Sequence, residues 1–154
     1  IIRTTCFSME DSIQKLMING HRALEFSLNK LEQQLRRNLI GDAKRTFDRF
    51  EWALKRHFLI EEKAIFIFLN QENGKEISST FNLMQEHGNL LELLKIVKEE
   101  INFHGTADVS RLKESLLDHS RFENEEFYPR LDKELSYSQK EEILEKIEKS
   151  VKSE

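Results

Sequence analysis

Leu54-Lys55-Arg56-His57-Phe58-Leu59-Ile60-Glu61-Glu62-Lys63-Ala64-Ile65 carries a helical stripe in which His57 and Glu61 take the inward steps between Leu54 and Ile65. Steps of three to four residues keep those positions on one face of an α-helix. The same spelling returns between Leu116 and Phe127, where His119 and Glu123 fill the inward steps. A carboxylate turned toward a core is costly unless something positive compensates it. Imidazoles and carboxylates converging inside a helical bundle are the usual way such a bundle holds metal.

Working outward, four long helical patterns appear, separated by short breaks. The first runs from about Met9 to about Asn38, with Ile13, Met17, Leu24, Leu28, Leu31 and Leu35 inward. Ser8 with Asp11 resembles a capping box, and Gly41 closes the segment. The second runs from about Asp42 to Asn70, with Ala43, Phe47, Phe50, Leu54, Ile65 and Phe68 inward, and ends at an Asn73-Gly74 turn. The third runs from about Ile77 to Phe103, with Ile77, Phe81, Met84, Leu91 and Leu94 inward, and Gly105 ends it. The fourth runs from about Val109 to Leu135, with Val109, Leu112, Leu116 and Phe127 inward. A fifth, very polar helix follows Ser136, where Ser138-Gln139-Lys140-Glu141 spells another capping box. No strand-like alternation competes. Short loops make neighbouring helices antiparallel. The expected fold is all-α: an up-down-up-down antiparallel four-helix bundle over residues 9–135, with an N-terminal extension at 1–8 and a short polar C-terminal helix at 136–154.

Each stripe has gaps, and the histidines fall in them. His21 lies between Met17 and Leu24, and His87 between Met84 and Leu91. Counting from the turns tests their depth. His21 lies 20 residues before Gly41, and His57 and Glu61 lie 16 and 20 after it. Around Gly74, His57 and Glu61 lie 17 and 13 before, and His87 lies 13 after. Around Gly105, His87 lies 18 before, and His119 and Glu123 lie 14 and 18 after. A mismatch of four residues is one turn, or ~6 Å of rise. Six polar side chains from four helices therefore share one layer near mid-bundle.

Composition bounds the alternatives. The 154 residues suffice for one domain with a real core. The net charge of −4 and the lack of a basic patch interleaved with aromatics argue against nucleic acid. The longest apolar run, Ala64 to Leu69, is far too short to span a bilayer. Cys6 is the single cysteine, so no intrachain disulfide forms, and a reducing, cytoplasmic setting is expected. Ile1-Ile2-Arg3-Thr4-Thr5 does not read as a signal peptide. The first residue is not methionine, so either the chain is an excised domain or Met9 lies near a native start.

The chain resembles the hemerythrin-like, or HHE cation-binding, domains. That family carries a histidine on the first helix, His-x-x-x-Glu on the second, a histidine on the third and His-x-x-x-Glu/Asp on the fourth. The matching residues are His21, His57 with Glu61, His87, and His119 with Glu123; the flanks Glu86-His87-Gly88 and Phe127-Tyr128-Pro129 agree. The resemblance covers roughly Met9 to Leu135. It implies a non-haem diiron centre: two iron ions with a bridging oxo or hydroxo group, held by histidine nitrogens and bridged by the two carboxylates. Oxygen carriers of the family present five histidines, usually with a second one a turn along the third helix. Here the flanking turns offer Leu83 and Leu91, which leaves a coordination position open to water, hydroxide or another glutamate. Oxygen, peroxide or nitric oxide is then the expected ligand, with an attached or partner signalling domain possible and no membrane or nucleic acid involved. The rival ferritin-like scaffold uses Glu-x-x-His, which does not occur in this sequence.

Simpler roles stand beside these. Glu25 and Glu126 read as surface charges, although either is a possible additional ligand. His104 reads as a solvent-exposed histidine at a helix end, where a cation favours the helix C-terminus. Tyr128 falls roughly opposite His119 by helical phase and is left out of the metal set. Phe47, Phe50, Phe58, Phe66, Phe68 and Phe81 read as core that keeps the site dry. Two function classes remain: a binding or sensing module for oxygen species or iron, and a diiron enzyme such as a peroxidase or an oxygen or nitric-oxide reductase; a third, a metal-free interaction bundle, requires the histidines to be accidents. No substrate-pocket motif, nucleotide fingerprint or cysteine relay is present, which favours binding over catalysis.

Overall fold

Ser12 opens the first helix: its hydroxyl accepts from the Lys15 backbone N–H, the bond an N-cap serine makes to satisfy an orphan donor. In this computed structural model residues 12–72 and 77–152 are described. The Ser8/Asp11 cap, the Asn73-Gly74 turn, the 1–8 extension and the side chain of Ile77 lie outside the described residues. The helices are α1 (Ile13–Arg36), α2 (residues 40–72), α3 (Ile77–His104), α4 (residues 110–134) and α5 (Tyr137–Lys152). No strand occurs among the described residues, and no helix there is long and apolar enough to cross a membrane. The architecture is a helical bundle: α1 packs on α2 and α4, α2 on α3, and α3 on α4.

The α1–α2 turn differs from expectation. Asn38, not Gly41, takes the left-handed conformation, with φ 58°. Leu39 N–H reaches back to Gln34 C=O and Asn38 N–H to Leu35 C=O, the paired bonds of a Schellman ending. Asparagine tolerates this region because its side chain is short and polar. Gly41 lies inside the first turn of α2 instead. At the end of α3, Gly105 does take a positive φ of 68°, as a residue after a helix terminus should. The cap of α5 is also shifted. Ser136 and Gln139 bond reciprocally through side chain and backbone, so the capping box is Ser136-Tyr137-Ser138-Gln139 rather than the one expected from Ser138.

Two helices are not uniform. In α2, an α-helical Ile40–Ile60 passes into a π-helical Glu61–Phe66 and back to α-helical Ile67–Glu72. In α4, Ser110–Phe122 passes into a π-helical Glu123–Phe127 before Tyr128–Glu134. Both π segments begin at the glutamate of a His-x-x-x-Glu pair. A π turn accommodates an extra residue and rotates everything beyond it, which brings side chains inward that an uninterrupted α-helix would leave off-axis. Pro129, just after the second segment, has no N–H to give to the preceding turn and so fits where the regular ladder is broken.

The third stripe needs correcting. Phe81 and Met84 are 57% and 44% exposed, and Thr80, Leu83, Leu90, Val97 and Ile101 face inward instead; of the expected stripe, Leu94 is buried and Leu91 half-buried. Phase explains it: at about 100° per residue, Leu83 and Thr80 lie within about 40° of His87, whereas Phe81 lies about 120° away. Apolar identity at Phe81 and Met84 misplaced the stripe by one residue. The expected inward residues of α1, α2 and α4 are all buried.

The buried apolar side chains form two clusters. One holds Leu24, Leu28, Phe50, Leu54, Leu94 and Leu116; the other holds Ile13, Met17, Ile65, Leu83, Phe127 and Leu131. The polar layer of His21, His57, Glu61, His87, His119 and Glu123 lies between them in sequence on every helix that contributes to it. α5 completes the second cluster with Ile143, Leu144 and Ile147, packing on the π segment of α2.

Candidate metal centre

The six residues singled out by spacing do come together. His21 arrives from α1, His57 and Glu61 from α2, His87 from α3, and His119 and Glu123 from α4. All but His57 are almost wholly buried, and His57 is 11% exposed. Their donor atoms fall into two groups, each within 4.8 Å: His21, His57, Glu61 and Glu123 in one, and Glu61, His87, His119 and Glu123 in the other. Both groups share the two glutamates. His57 Nε2 lies 2.7 Å from Glu61 Oε1, and His21 and His119 Nε2 lie 3.1 and 3.0 Å from Glu123 Oε1. His87 Nε2 stands further off, at 3.9 Å from Glu61 Oε1.

The outer ring nitrogens explain this orientation. His21 Nδ1 bonds Asn124 Oδ1 at 2.7 Å, His87 Nδ1 bonds Glu62 Oε1 at 2.9 Å, and His119 Nδ1 bonds Glu86 Oε2 at 2.6 Å. In the neutral imidazole these contacts favour the tautomer with the proton on Nδ1, which leaves the Nε2 lone pair for the centre. Packing fixes the rings further. Phe58 stacks on His87 at 3.8 Å between centroids, and Phe66 lies at 5.6 Å from the same ring. Gly20 lets α1 pass close to α2: a β-carbon there would lie 3.1 Å from His57 Nδ1.

Tyr128 belongs to this layer, contrary to the phase count. Nine residues of unbroken α-helix put it opposite His119, but the π segment between them rotates it inward. It is fully buried, and its hydroxyl donates to Glu61 Oε2 at 2.5 Å and Glu123 Oε2 at 3.0 Å. Spacing also missed Asn124, Glu62 and Glu86. The last two were legible only as acids adjoining Glu61 and His87 in the chain. Glu25 is half-buried and Glu126 exposed, and neither contributes to the two donor groups. His104 is exposed at the end of α3.

Burial and mutual contact shift the titratable groups of the layer in opposite directions. Burial pushes the His87 imidazole down to about 4, against partial compensation by Glu61. Burial also opposes charge on His119, but hydrogen bonds with Glu123 and Glu86 prevail and raise it to about 10. Burial works against an ionised Glu123 as well, yet its bonds to Glu61, His119 and His21 hold it well below the usual carboxylate range. Burial, reinforced by the two carboxylates, pushes the Tyr128 phenol well above its ordinary value, so it stays a donor.

Six buried atoms in the layer face one another across the centre and make no well-directed hydrogen bond: Nε2 of His21, His57, His87 and His119, and Oε1 of Glu61 and Glu123. All six are the atoms aimed at the centre, and all are metal donors. Imidazole nitrogen with carboxylate oxygen suits iron among the first-row metals. The donor set fits a bound cation in each group.

In comparisons with known proteins, the family model described as the hemerythrin HHE cation-binding domain matches residues 12–131. Comparison with curated proteins and with solved structures gives no match.

Proposed function

The chain belongs to the hemerythrin HHE cation-binding domain family, and we propose that it is a non-haem diiron protein that binds or senses oxygen species or iron. The observation that carries this is the pair of donor groups sharing Glu61 and Glu123. His21 and His57 would hold one metal, and His87 and His119 the other, with Glu61 and Glu123 common to both, on an up-down-up-down four-helix frame. A bridging oxo or hydroxo group would complete such a pair. Such a centre supplies redox chemistry toward oxygen, peroxide or nitric oxide. The chain's part is to orient the imidazoles through Asn124, Glu62 and Glu86, and to exclude bulk water with Phe58 and Phe66. A groove of about 460 Å³, lined by Gly20, Ala23, Leu24, Trp52, Ala53 and Ile60, reaches His57 and supports access for a small ligand. The single cysteine supports a reducing, cytoplasmic setting.

Four inward histidines, rather than a carrier's five, favour a one-way response over reversible carriage. The test is anaerobic loading with ferrous iron, elemental analysis, then stopped-flow mixing with oxygen. Two irons per chain and oxidation without a reversible coloured form are expected. A plateau at one iron contradicts the dinuclear centre, and colour that fades on removing oxygen restores the carrier.

A further inference from the structure

Glutamate carboxylates turn easily about their last torsion, which is broad and two-fold, so backbone placement alone does not decide which oxygen faces a ligand. In this centre both carboxylates are tied. The Tyr128 hydroxyl reaches Oε2 of Glu61 and Oε2 of Glu123, leaving Oε1 of each toward the imidazoles. One O–H has one proton, so the two contacts form a single shared bond with its shorter arm on Glu61. The two carboxylates come from different helices, α2 and α4, and this phenol hydrogen-bonds both. It reaches them because the π segment at Glu123–Phe127 rotates it inward.

We propose that Tyr128 is a positioning residue of the dinuclear centre: its hydroxyl holds Glu61 and Glu123 in the rotation that lets both metals share them. This rests on the diiron reading above. Without the hydroxyl, each carboxylate is free to turn toward its own half of the site. The first metal then binds much as before, and the second loses its prepared bridge. Partners that orient metal ligands are typically worth about 10- to 100-fold in metal affinity.

Tyr128→Phe isolates the hydroxyl, since the ring and its packing remain. The probe is cobalt(II), whose visible spectrum reports coordination geometry, titrated into metal-free wild type and variant. Wild type is expected to take two equivalents. The variant is expected to bind the first within about threefold of wild type and the second about 10- to 100-fold more weakly, with a changed spectrum at saturation. Replacing Tyr128 with 4-aminophenylalanine restores a donor at the same place and is expected to restore the second equivalent. If Y128F does not fold, the aminophenylalanine variant is compared with wild type directly: two tight equivalents support the inference, and loss of the second overturns it. Wild type at two equivalents with an indistinguishable Y128F overturns this inference alone. Wild type that never reaches two overturns the diiron reading, and this inference with it.

Discussion

Glu61 and Glu123 are the fully buried acids among the described residues, and each lies against imidazoles rather than lysine or arginine. Buried carboxylates paired with imidazoles are weak evidence for stability and better evidence for a ligand site. Changing either to alanine is expected to cut iron below two per chain after anaerobic loading, because both donor groups lose a member. The bundle should still fold, since the change removes a buried charge. Glu25→Ala and Glu126→Ala should keep two irons. Loss of iron in Glu25→Ala with retention in Glu61→Ala would refute the ligand set, and elemental analysis reads the difference. At this scale the six central residues were legible because spacing alone fixes a helical face. Tyr128 and Asn124 were not, because they follow or lie within the π segment, whose extra residue no phase count anticipates. Glu62 was hidden differently: half-buried beside Glu61, it reaches His87 on another helix, and only the packing reveals that.

At the scale of elements, helix number and type followed from a stripe interrupted by few breakers. Phase and ends were harder to read. On α3, Thr80 is a polar residue facing in, and Phe81 and Met84 are apolar residues facing out, so a hydrophobicity count slips by one position. His87 itself carried the right phase: extending in steps of three and four from it gives Leu83, Leu90 and Leu94. At the α1 ending, glycine at position 41 was the stronger local signal, yet Asn38 makes the turn. The depth count survived this, because a three-residue error in the turn moves the expected layer by about 5 Å, less than one helical turn.

For the whole molecule, a polar layer between two apolar clusters makes stability depend on protons and metal together. The His119 imidazole is raised to about 10 in the fold, so its contribution is present below its ordinary 6.5 and is lost as pH rises toward 10. The His87 imidazole is lowered to about 4, so its contribution is present above 6.5 and is lost as pH falls from 6.5 toward 4. Glu123, held low, adds to the acid-side loss. The melting temperature of metal-free protein is therefore expected to peak near 6.5 and fall on both sides. Metal binds deprotonated imidazoles, so loading should release protons and raise the melting temperature most on the alkaline side. Calorimetric scans across pH, with and without iron, check both; a flat metal-free profile would count against a buried histidine layer.

The central claim is two metals sharing Glu61 and Glu123. Anomalous difference density at the iron edge, from crystals of protein loaded with ferrous iron, tests it most directly. Two peaks are expected, one beside His21 and His57 and one beside His87 and His119, with both glutamates reaching each. A single peak, or iron away from this layer, would contradict the account.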